Sequence, residues 1–437
     1  MILRNVIVTL FWFLLLNFAV YRFAFLQLIH FRKWVSLLVF NAKFAAGILI
    51  WAVYTFYYTD TANNDVHKFY NDALVLNSAA AQTQAFTKLM LGKEDETTES
   101  YTVAMKNWNR HFDEAPINEN RTIIRLHALL MFLSFRSYFV HILFMCLISL
   151  LGWVLLTNSI MKNANQNTVL LALPVLLLPS VLFWTSGIMK EPVLVLGIGL
   201  FVCGLLHSVT WKQLALLVTG VLIILSSKFY VLACLLPSAV TFLAFRNNAN
   251  MRAVAAKYAV TVLILIATVF VVEKFSPSSN PVQMLVNKQT HSIKEAAYFD
   301  AGSRIDIPTF TNTASIVKAI PAGVWNSLVR PYLWEIKNPL MLAAALENLM
   351  VLLLLAYCAW NVYRVAAVKL NLLLFLLFSS LWYFALVGIS TPVIGNLVRY
   401  KTPLLPLFIY AFLLLGNFKH MPRSLQQLLL KEGGCKE

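Results

Sequence analysis

Long apolar stretches alternate with short polar ones along the chain, and this pattern predicts membrane-spanning helices. A helical span needs about 17 to 25 predominantly apolar residues to cross the hydrocarbon core. Stretches of roughly this length predict about eleven spans, near residues 6–28, 35–58, 137–157, 168–185, 192–208, 213–227, 229–245, 258–274, 338–360, 370–390 and 402–417. The sequence therefore predicts an all-α, polytopic integral membrane protein that forms one membrane domain over residues 1–437. The first stretch could instead lie in the membrane interface, which would lower the number of spans.

The basic residues predict which loops face the cytoplasm. Lysine and arginine are enriched in cytoplasmic loops, and here they cluster in every second loop: Arg32/Lys33, Lys162, Lys212, Arg246/Arg252/Lys257, Arg364/Lys369 and Lys419/Arg423/Lys431/Lys436. This register places the C-terminus in the cytoplasm. It also predicts two larger extracytoplasmic segments, residues 59–136 and 275–337, of which the first holds ten of the nineteen acidic residues. Helical patterns follow in residues 123–133, 291–298 and 313–329.

Composition excludes several classes of protein. With 59% hydrophobic residues, 12% charged residues and a mean hydropathy of +0.71, the chain is not an ordinary soluble domain. The net charge of +16 would suit a nucleic-acid partner, but the basic residues lie in short clusters between apolar stretches. The expected partner is the lipid bilayer and not nucleic acid. Four of the five cysteines fall inside apolar stretches, so neither a disulfide framework nor a zinc-binding spacing follows.

The turn at residues 183–192, between two apolar stretches, carries the first group of candidate site residues. Gly187 is expected to end one helix in the left-handed conformation, and Pro192 suits the first turn of the next. Lys190 and Glu191 then lie at a helix N-terminus near a membrane surface. Charge between two membrane segments is costly, so its presence needs a reason. The two residues are either interfacial anchors or functional site residues. Trp184 is a supporting candidate.

Two aspartates follow the aromatic end of the second predicted span. Asp60 and Asp65 precede a helix predicted to begin near Asn63, and either Asp60 or Asn63 is expected to cap it. Residues 65, 69 and 72 share one face of this helix. Asp65 is the preferred candidate for a catalytic carboxylate, with Asp60 and Glu191 as further candidates.

Cations near the ends of predicted spans suggest a phosphate-binding site. The guanidinium group is a bidentate donor suited to phosphate oxygens, and on the extracytoplasmic face the abundant diphosphates are lipid-linked. Glu335 and Glu347 are supporting candidates, and Glu347, inside its span, is expected to pair with a cation. The candidate phosphate-binding residues are Lys190, Lys228, Arg330 and Arg399.

Four motifs give the chain a resemblance to a known group. They are Asp65 with Tyr70, the Pro-Ser-x-x-Phe-Trp-x-Ser-Gly-x-x-Lys-Glu turn at residues 179–191, the Arg-Pro…Trp-Glu…Glu-Asn run at 330–348, and Asn-x-x-Arg-Tyr-x-x-Pro at 396–403. With these four motifs in this order, the chain resembles the polytopic bacterial envelope glycosyltransferases with a GT-C-like plan, and the related O-antigen and exopolysaccharide polymerases. The resemblance implies that Asp65 acts as base or ligand and that Lys190, Arg330 and Arg399 hold a lipid-linked phosphate.

The implied function is transfer of a sugar from a polyprenyl-phosphate or polyprenyl-pyrophosphate carrier. No Asp-x-Asp pair accompanies Asp65, so no cofactor is expected, although a divalent metal is compatible with the chemistry. Two other functions use the same residues: a transporter or flippase for lipid-linked glycans, and a non-catalytic subunit of an envelope assembly.

Overall fold

The computed structural model describes residues 2–58, 64–109, 118–162, 164–207, 210–246, 250–275, 281–298, 302–362, 367–416, 418 and 421–431. Over these residues the protein is helical, with isolated bridges but no named strand. The helices are α1 (Ile2–Arg22), α2 (Lys33–Ala52), α3 (Asp65–Ser78), α4 (Thr83–Leu91), α5 (Glu96–Ala104), α6 (Glu119–Ser134), α7 (Tyr138–Met161), α8 (Gln166–Leu176), α9 (Pro179–Trp184), α10 (Glu191–Leu206), α11 (Trp211–Ala244), α12 (Met251–Phe275), α13 (Pro281–Tyr298), α14 (Thr313–Val329), α15 (Pro339–Trp360), α16 (Ala367–Ser390), α17 (Ile394–Lys401), α18 (Leu405–Leu415) and α19 (Arg423–Leu429).

Within the described residues, seven helices are long and apolar enough to cross a membrane. They are Ile2–Arg22, Lys33–Tyr57, Tyr138–Met161, Trp211–Ala244, Arg252–Lys274, Pro339–Trp360 and Leu370–Ser390. The pair α17 and α18, bent by 56° at its break, makes an eighth if the pair is one span. The predicted helical membrane protein is therefore confirmed in its class, and the helices at 137–157, 338–360 and 370–390 are confirmed as elements.

The chain divides into two compact units. Unit 1 contains Met1–Lys162, Val181–Phe229 and Ser424–Glu437, and unit 2 contains Asn163–Ser180 and Tyr230–Arg423. The first part of α11 belongs to unit 1 and the second part to unit 2.

Unit 1 is built around the packing of α7 on α10, with α2 also against α7. The two helices α7 and α10 approach closely at Gly152 and Gly199, where an added Cβ would collide with the opposing backbone. Such contacts between small residues allow membrane helices to pack by van der Waals contact, because lipid tails provide no hydrophobic drive for association. The first apolar stretch, α1, packs on α2 and α7 but leaves most of its surface exposed, as a lipid-facing helix would.

Unit 2 is built around the packing of α14 on α16. Gly323 and Gly388 meet at this crossing, and a Cβ on either would clash with the facing helix. Helix α14 matches the predicted pattern at 313–329, and its cap is Asn312, whose side chain accepts from the Ser315 backbone N–H. Helix α18 packs on α8, α15 and α16 and is buried over most of its length.

Several local predictions are corrected by the structure. Gly187 does not adopt the left-handed conformation; within the described residues only Gly92, Phe135 and Arg136 have a positive φ. Helix α9 therefore ends at Trp184 without the expected glycine cap, and residues 185–190 form a non-helical turn. The cap of α3 is Asn64, whose side chain accepts from the His67 backbone N–H. The expected caps, Asp60 and Asn63, lie outside the described residues. Pro192 does lie in the first turn of α10, as predicted.

Candidate functional site

Unit 1 contains a buried ion pair between two of the predicted site residues. Lys228 Nζ lies 3.0 Å from Glu191 Oε1, and the two side chains are 5% and 0% exposed. Glu191 is the first residue of α10, and Lys228 is the one residue with extended backbone inside α11. Two interruptions of apolar helices therefore meet through this pair. Each charge offsets the desolvation of the other, since a lone charge at such a position would be strongly unfavourable.

A second ion pair lies beside the first. Lys190 Nζ is 3.1 Å from Glu119 Oε2, with side-chain exposures of 12% and 8%, and the ammonium stands 5.5 Å from the ring centre of Phe69. Both charged residues line a small pocket together with Thr122, Ser226 and Ser227. Glu119 was not singled out as a site residue in the sequence, because its partner is 71 positions away.

Asp65, the predicted base, is the first residue of α3 and follows the end of a membrane-spanning helix. Its carboxylate forms an ion pair with Lys68, one turn along the helix, and its side chain is 25% exposed. Phe69 and Asp72 are buried on the inner face of α3. Burial raises the pKa of Asp72, although the backbone N–H of Asn107 donates to its carboxylate and partly offsets the shift.

Trp184 is a packing residue at the end of α9. It is partly buried against a cluster formed by Ile50, Val66 and Met189, in which Phe183 also takes part. The aromatic end of the turn is thereby fixed to α2 and α3. This contact supports the role of Trp184 in positioning the turn at residues 185–190.

Lys43, which the sequence reasoning missed, holds the same turn. Its Nζ donates to the carbonyl oxygen of Thr185 at 3.0 Å and to the Thr185 hydroxyl at 2.6 Å, and its side chain is buried. Ser149 donates to the same carbonyl at 2.6 Å, and Cys146 donates to the Ser186 carbonyl at 3.6 Å. Backbone carbonyls freed by a helix break must find donors inside a membrane protein. Lys43 could have been recognised in the sequence, because it is a lysine inside an apolar stretch.

Two buried histidines join α6 to α7. His127 Nδ1 and His141 Nδ1 are 2.9 Å apart, and His141 Nε2 is 2.8 Å from the Ser134 hydroxyl. In this short contact one imidazole donates and the other accepts. The two rings therefore cannot both carry a proton on Nδ1. Burial, with the neighbouring His141 as a smaller cause, holds the pKa of His127 well below its ordinary value.

In unit 2, Arg330 follows the last residue of α14 and forms an ion pair with Glu335. The Arg330 Nε–Glu335 Oε1 distance is 3.5 Å, and each side chain is 20% exposed. The guanidinium lies 5.3 Å from the ring centre of Tyr332. The Nε atom is buried and makes no hydrogen bond of good geometry.

Asn348 connects the two cationic motifs of unit 2. Its Nδ2 donates to the carbonyl oxygens of Val329 at 3.1 Å and Arg330 at 2.7 Å, and its Oδ1 accepts from Lys401 Nζ at 2.6 Å. Lys401 is buried at the end of α17, the short helix that also carries Arg399, itself 7% exposed. The end of α14 and the end of α17 are thus joined through one amide.

Glu347 has other partners than the expected cation. Its carboxylate accepts from the Ser180 backbone N–H at 2.6 Å and from the Ser180 hydroxyl. The Lys401 charge acts on it electrostatically, without a direct ion pair between the two. The neutral hydroxyl and backbone N–H of Ser180 thus provide the hydrogen bonds of a carboxyl group that lies inside a membrane-spanning helix.

The predicted residues thus fall into two groups. Unit 1 brings Glu191 to Lys228 and places Lys190, Asp65 and Trp184 on neighbouring elements. Unit 2 holds Arg330 with Glu335, and Glu347 and Arg399 on helices that Asn348 and Lys401 connect. Asp60 lies outside the described residues.

Among the described residues no group of three or more His, Cys, Asp or Glu side chains is placed to hold a metal ion. No protein-family model, curated protein or solved structure matches the chain.

Proposed function

We propose that the protein is a membrane glycosyltransferase or polysaccharide polymerase whose donor is a sugar on a polyprenyl-phosphate or polyprenyl-pyrophosphate carrier. The observation that carries this proposal is the connection through Asn348, which holds the backbone of Arg330 and the ammonium of Lys401 on one amide. It supports a common cationic region formed by the ends of α14 and α17. Preorganised cations stabilise the charge that develops on a leaving phosphate.

Each site residue has a role in this proposal. Arg330 and Arg399 hold phosphate oxygens, since guanidinium is suited to bidentate contact. Lys190 and Lys228 add positive charge, and Glu335, Glu347 and Trp184 support the surrounding structure. Asp65 is the general base that takes the proton of the acceptor hydroxyl, with Asp60 and Glu191 as further carboxylates. Its partial exposure supports this role, because a base must reach the acceptor.

In the proposed topology the protein lies in the inner or plasma membrane, its site faces the extracytoplasmic side, and its C-terminus is in the cytoplasm. About eleven spans result when α8 with α9, α10 and the two parts of α11 are counted as separate crossings. A reporter fused after Lys93 or Gln289 then reads as extracytoplasmic, and one fused after Ala249 or Ala366 as cytoplasmic. A cytoplasmic reading at either of the first two sites would remove the common face on which the proposal depends.

The direct test uses purified protein in lipid with a polyprenyl-linked glycan, and measures bound substrate and product for each variant. Arg330→Lys and Arg399→Lys keep the charge but lose the planar fork, so both should weaken binding. Arg252→Lys, an exposed position at the start of α12, is the matched control and should change neither. Asp65→Asn should keep binding while turnover falls by roughly 10²–10⁴, the contribution of a general base. Native binding and turnover in all three site variants would exclude Arg330, Arg399 and Asp65 as the substrate site, and a native protein that forms no product would favour the structural role in an envelope assembly.

One observation favours transport of a lipid-linked glycan as the second candidate. Non-helical backbone interrupts apolar helices of unit 1 at residues 185–190 and again at Lys228. Broken helices line the substrate sites of many transporters. A flippase would move substrate across the bilayer without forming product, and Asp65→Asn would change its transport only modestly.

A further inference from the structure

Three helices of unit 1 that are long and apolar enough to cross a membrane end at one place. Helix α1 ends at Arg22, and α2 begins at Lys33. In the last turn of α7, the Asn158 side chain accepts from the Ile29 backbone N–H at 3.0 Å and donates to the Gln27 carbonyl at 2.9 Å. The ends of membrane-spanning helices lie at a membrane surface. The turn between α1 and α2 therefore lies at such a surface too.

The C-terminal part of the described chain is held against this turn. Phe31 and Leu430 form an antiparallel bridge. The Arg32 Nε donates to the Leu430 carbonyl at 3.3 Å, and the Lys431 backbone N–H donates to the His30 carbonyl at 3.1 Å. These contacts fix the end of α19 at the same membrane surface.

Apolar side chains are exposed around the bridge. The rings of Phe23 and Phe25 stack on each other with centroids 5.7 Å apart, and Phe25 is 59% exposed. On α19, Leu425 and Leu428 are both exposed and lie three residues apart, which places them on one face of the helix. Exposed rings and apolar helix faces at a membrane surface insert between the lipid headgroups.

Positive side chains surround the same turn. Arg22 and Lys33 are exposed at the facing ends of α1 and α2, and Lys162 is exposed directly after α7. The Lys33 ammonium lies 5.3 Å from the ring centre of Tyr21, so this cation stands next to an exposed ring. Lys431 adds a further cation beside the bridge.

The sequence places no carboxylate among these cations. No aspartate or glutamate occurs in the stretches that build the surface, residues 1–59, 137–162 and 424–431. Acidic residues begin only at Asp60, beyond the opposite end of the α2 span, and Glu432 and Glu437 follow outside the described residues. Clusters of lysine and arginine next to a membrane-spanning helix attract anionic lipid headgroups.

We propose that this basic surface, made of residues 21–33, Lys162 and residues 425–431, binds the headgroup of an anionic phospholipid in the leaflet that it faces. A phospholipid brings its phosphate to the cations and its acyl chains to the exposed rings and leucines. Free phosphate would use only the cations. None of the residues proposed to hold the glycosyl donor belongs to the surface, so the inference goes beyond glycosyl transfer and does not depend on it.

The test is native mass spectrometry of the full-length protein in detergent, titrated with phosphatidylglycerol or with phosphatidylcholine. The native protein should bind a first phosphatidylglycerol more tightly than a first phosphatidylcholine. Each basic residue near a membrane surface contributes roughly fivefold to such binding, so Lys33→Gln/Lys431→Gln should weaken it by roughly twentyfold. Its binding of phosphatidylcholine should not change. Lys33→Arg/Lys431→Arg keeps the charges and should keep the affinity.

A matched control separates a defined surface from the net charge of the protein. Lys212→Gln/Arg252→Gln removes the same charge at exposed positions in the first turns of two other candidate spans and should keep the native affinity. An equal loss in the two glutamine variants would show that net charge alone attracts the lipid and would overturn the proposal. A native protein that does not prefer phosphatidylglycerol would overturn it as well.

Two further measurements keep the test decisive if the Lys33→Gln/Lys431→Gln variant fails to fold. Raising the ammonium acetate concentration should weaken binding of phosphatidylglycerol to the native protein more than binding of phosphatidylcholine, because salt screens exposed charges. Leu425→Ser/Leu428→Ser keeps every cation and should also weaken the first binding step, since the acyl chains lose apolar contacts. An equal salt response for the two lipids, or native affinity in the serine variant, would contradict a surface that holds both parts of the lipid.

Discussion

The charges around Lys228 in unit 1 and around Lys401 in unit 2 are satisfied in different ways. In unit 1, Lys228 and Glu191 form a direct ion pair, and Lys190 forms another with Glu119. In unit 2, Lys401 donates to the neutral amide of Asn348, and Glu347 accepts from Ser180, without a direct ion pair between the two charged groups.

The difference bears on which unit can hold an anionic ligand. A lysine whose charge is matched by a carboxylate at about 3 Å attracts phosphate weakly, because an incoming anion must displace the carboxylate or share the cation with it. Among the proposed phosphate-binding residues, Lys190 and Lys228 of unit 1 are matched in this way. The stronger phosphate contacts are therefore expected from Arg330 and Arg399 of unit 2, and the weaker ones from the two lysines of unit 1.

The largest effect is expected from breaking the pair in unit 1. Glu191→Ala removes the carboxylate that lies 3.0 Å from the buried Lys228 ammonium, which should lower the free energy of unfolding by about 3–5 kcal/mol. Chemical denaturation of the detergent-solubilised protein measures the change. The double variant Glu191→Ala/Lys228→Met should recover most of the loss. If the single and double variants were equally destabilised, the pair would not be the cause.

Removing the amide of unit 2 should have a smaller effect. Asn348→Leu leaves the Lys401 ammonium without its acceptor and the carbonyls of Val329 and Arg330 without their donor. A buried group left unsatisfied costs about 1–3 kcal/mol. The Lys401 contact is buried, whereas the contacts of the two carbonyls are only part-buried and should contribute less. Denaturation midpoints would measure the loss. Asn361→Leu removes an exposed amide beyond the end of the same helix and should change little. Equal midpoints for the two variants would show that Asn348 does not join the two motifs.

Much of the fold could be predicted from the sequence. The apolar stretches at 137–157, 338–360 and 370–390 match membrane-spanning helices, because their length and hydropathy are local properties. Helix α14 matches its predicted range, and Pro192 begins α10, because caps and prolines act within one turn. The stretch at 168–185 is less regular than predicted: it forms α8 and α9 with a break between them, and hydropathy alone carries no signal for such a break.

The partners of the charged residues could not be predicted in the same way. Glu191 and Lys228 are 37 positions apart, and Ser180 and Glu347 are 167 apart. Which side chains meet over such distances depends on how the helices pack, and packing is decided by contacts such as those of Gly152 with Gly199. Lys43 could have been found, since a lysine inside an apolar stretch is a default candidate for function.

The histidine pair of unit 1 should make stability depend on pH. His127 stays neutral in the folded protein, because burial and the nearby His141 lower its pKa well below the ordinary value of about 6.5. The unfolded chain takes up a proton there below about pH 6.5 and the folded chain does not. Stability should therefore fall as pH drops below this value, by at most about 1.4 kcal/mol per pH unit for this group. Above it, His127 should contribute no dependence on pH.

Unfolding midpoints measured across this pH range test the expectation. His127→Asn retains a polar group of similar reach towards His141 but cannot take up a proton, so the slope below about pH 6.5 should become shallower. A slope equal to that of the native protein would assign the acid sensitivity to other groups.

The smallest effect on stability is expected at Asp65, where the functional effect should be large. Asp65 and Lys68 form an ion pair one turn apart on α3, with side chains 25% and 20% exposed, a type of pair that contributes about 0.2–0.5 kcal/mol. Lys68→Met and Asp65→Asn should therefore shift the unfolding midpoint by similarly small amounts. In the assay with polyprenyl-linked glycan, however, only Asp65→Asn removes the proposed base. Lys68→Met leaves the carboxylate in place, frees it from its ion pair and should retain turnover. A loss of turnover of equal size in both variants would assign the effect to the ion pair and the shape of α3, and would exclude Asp65 as the base.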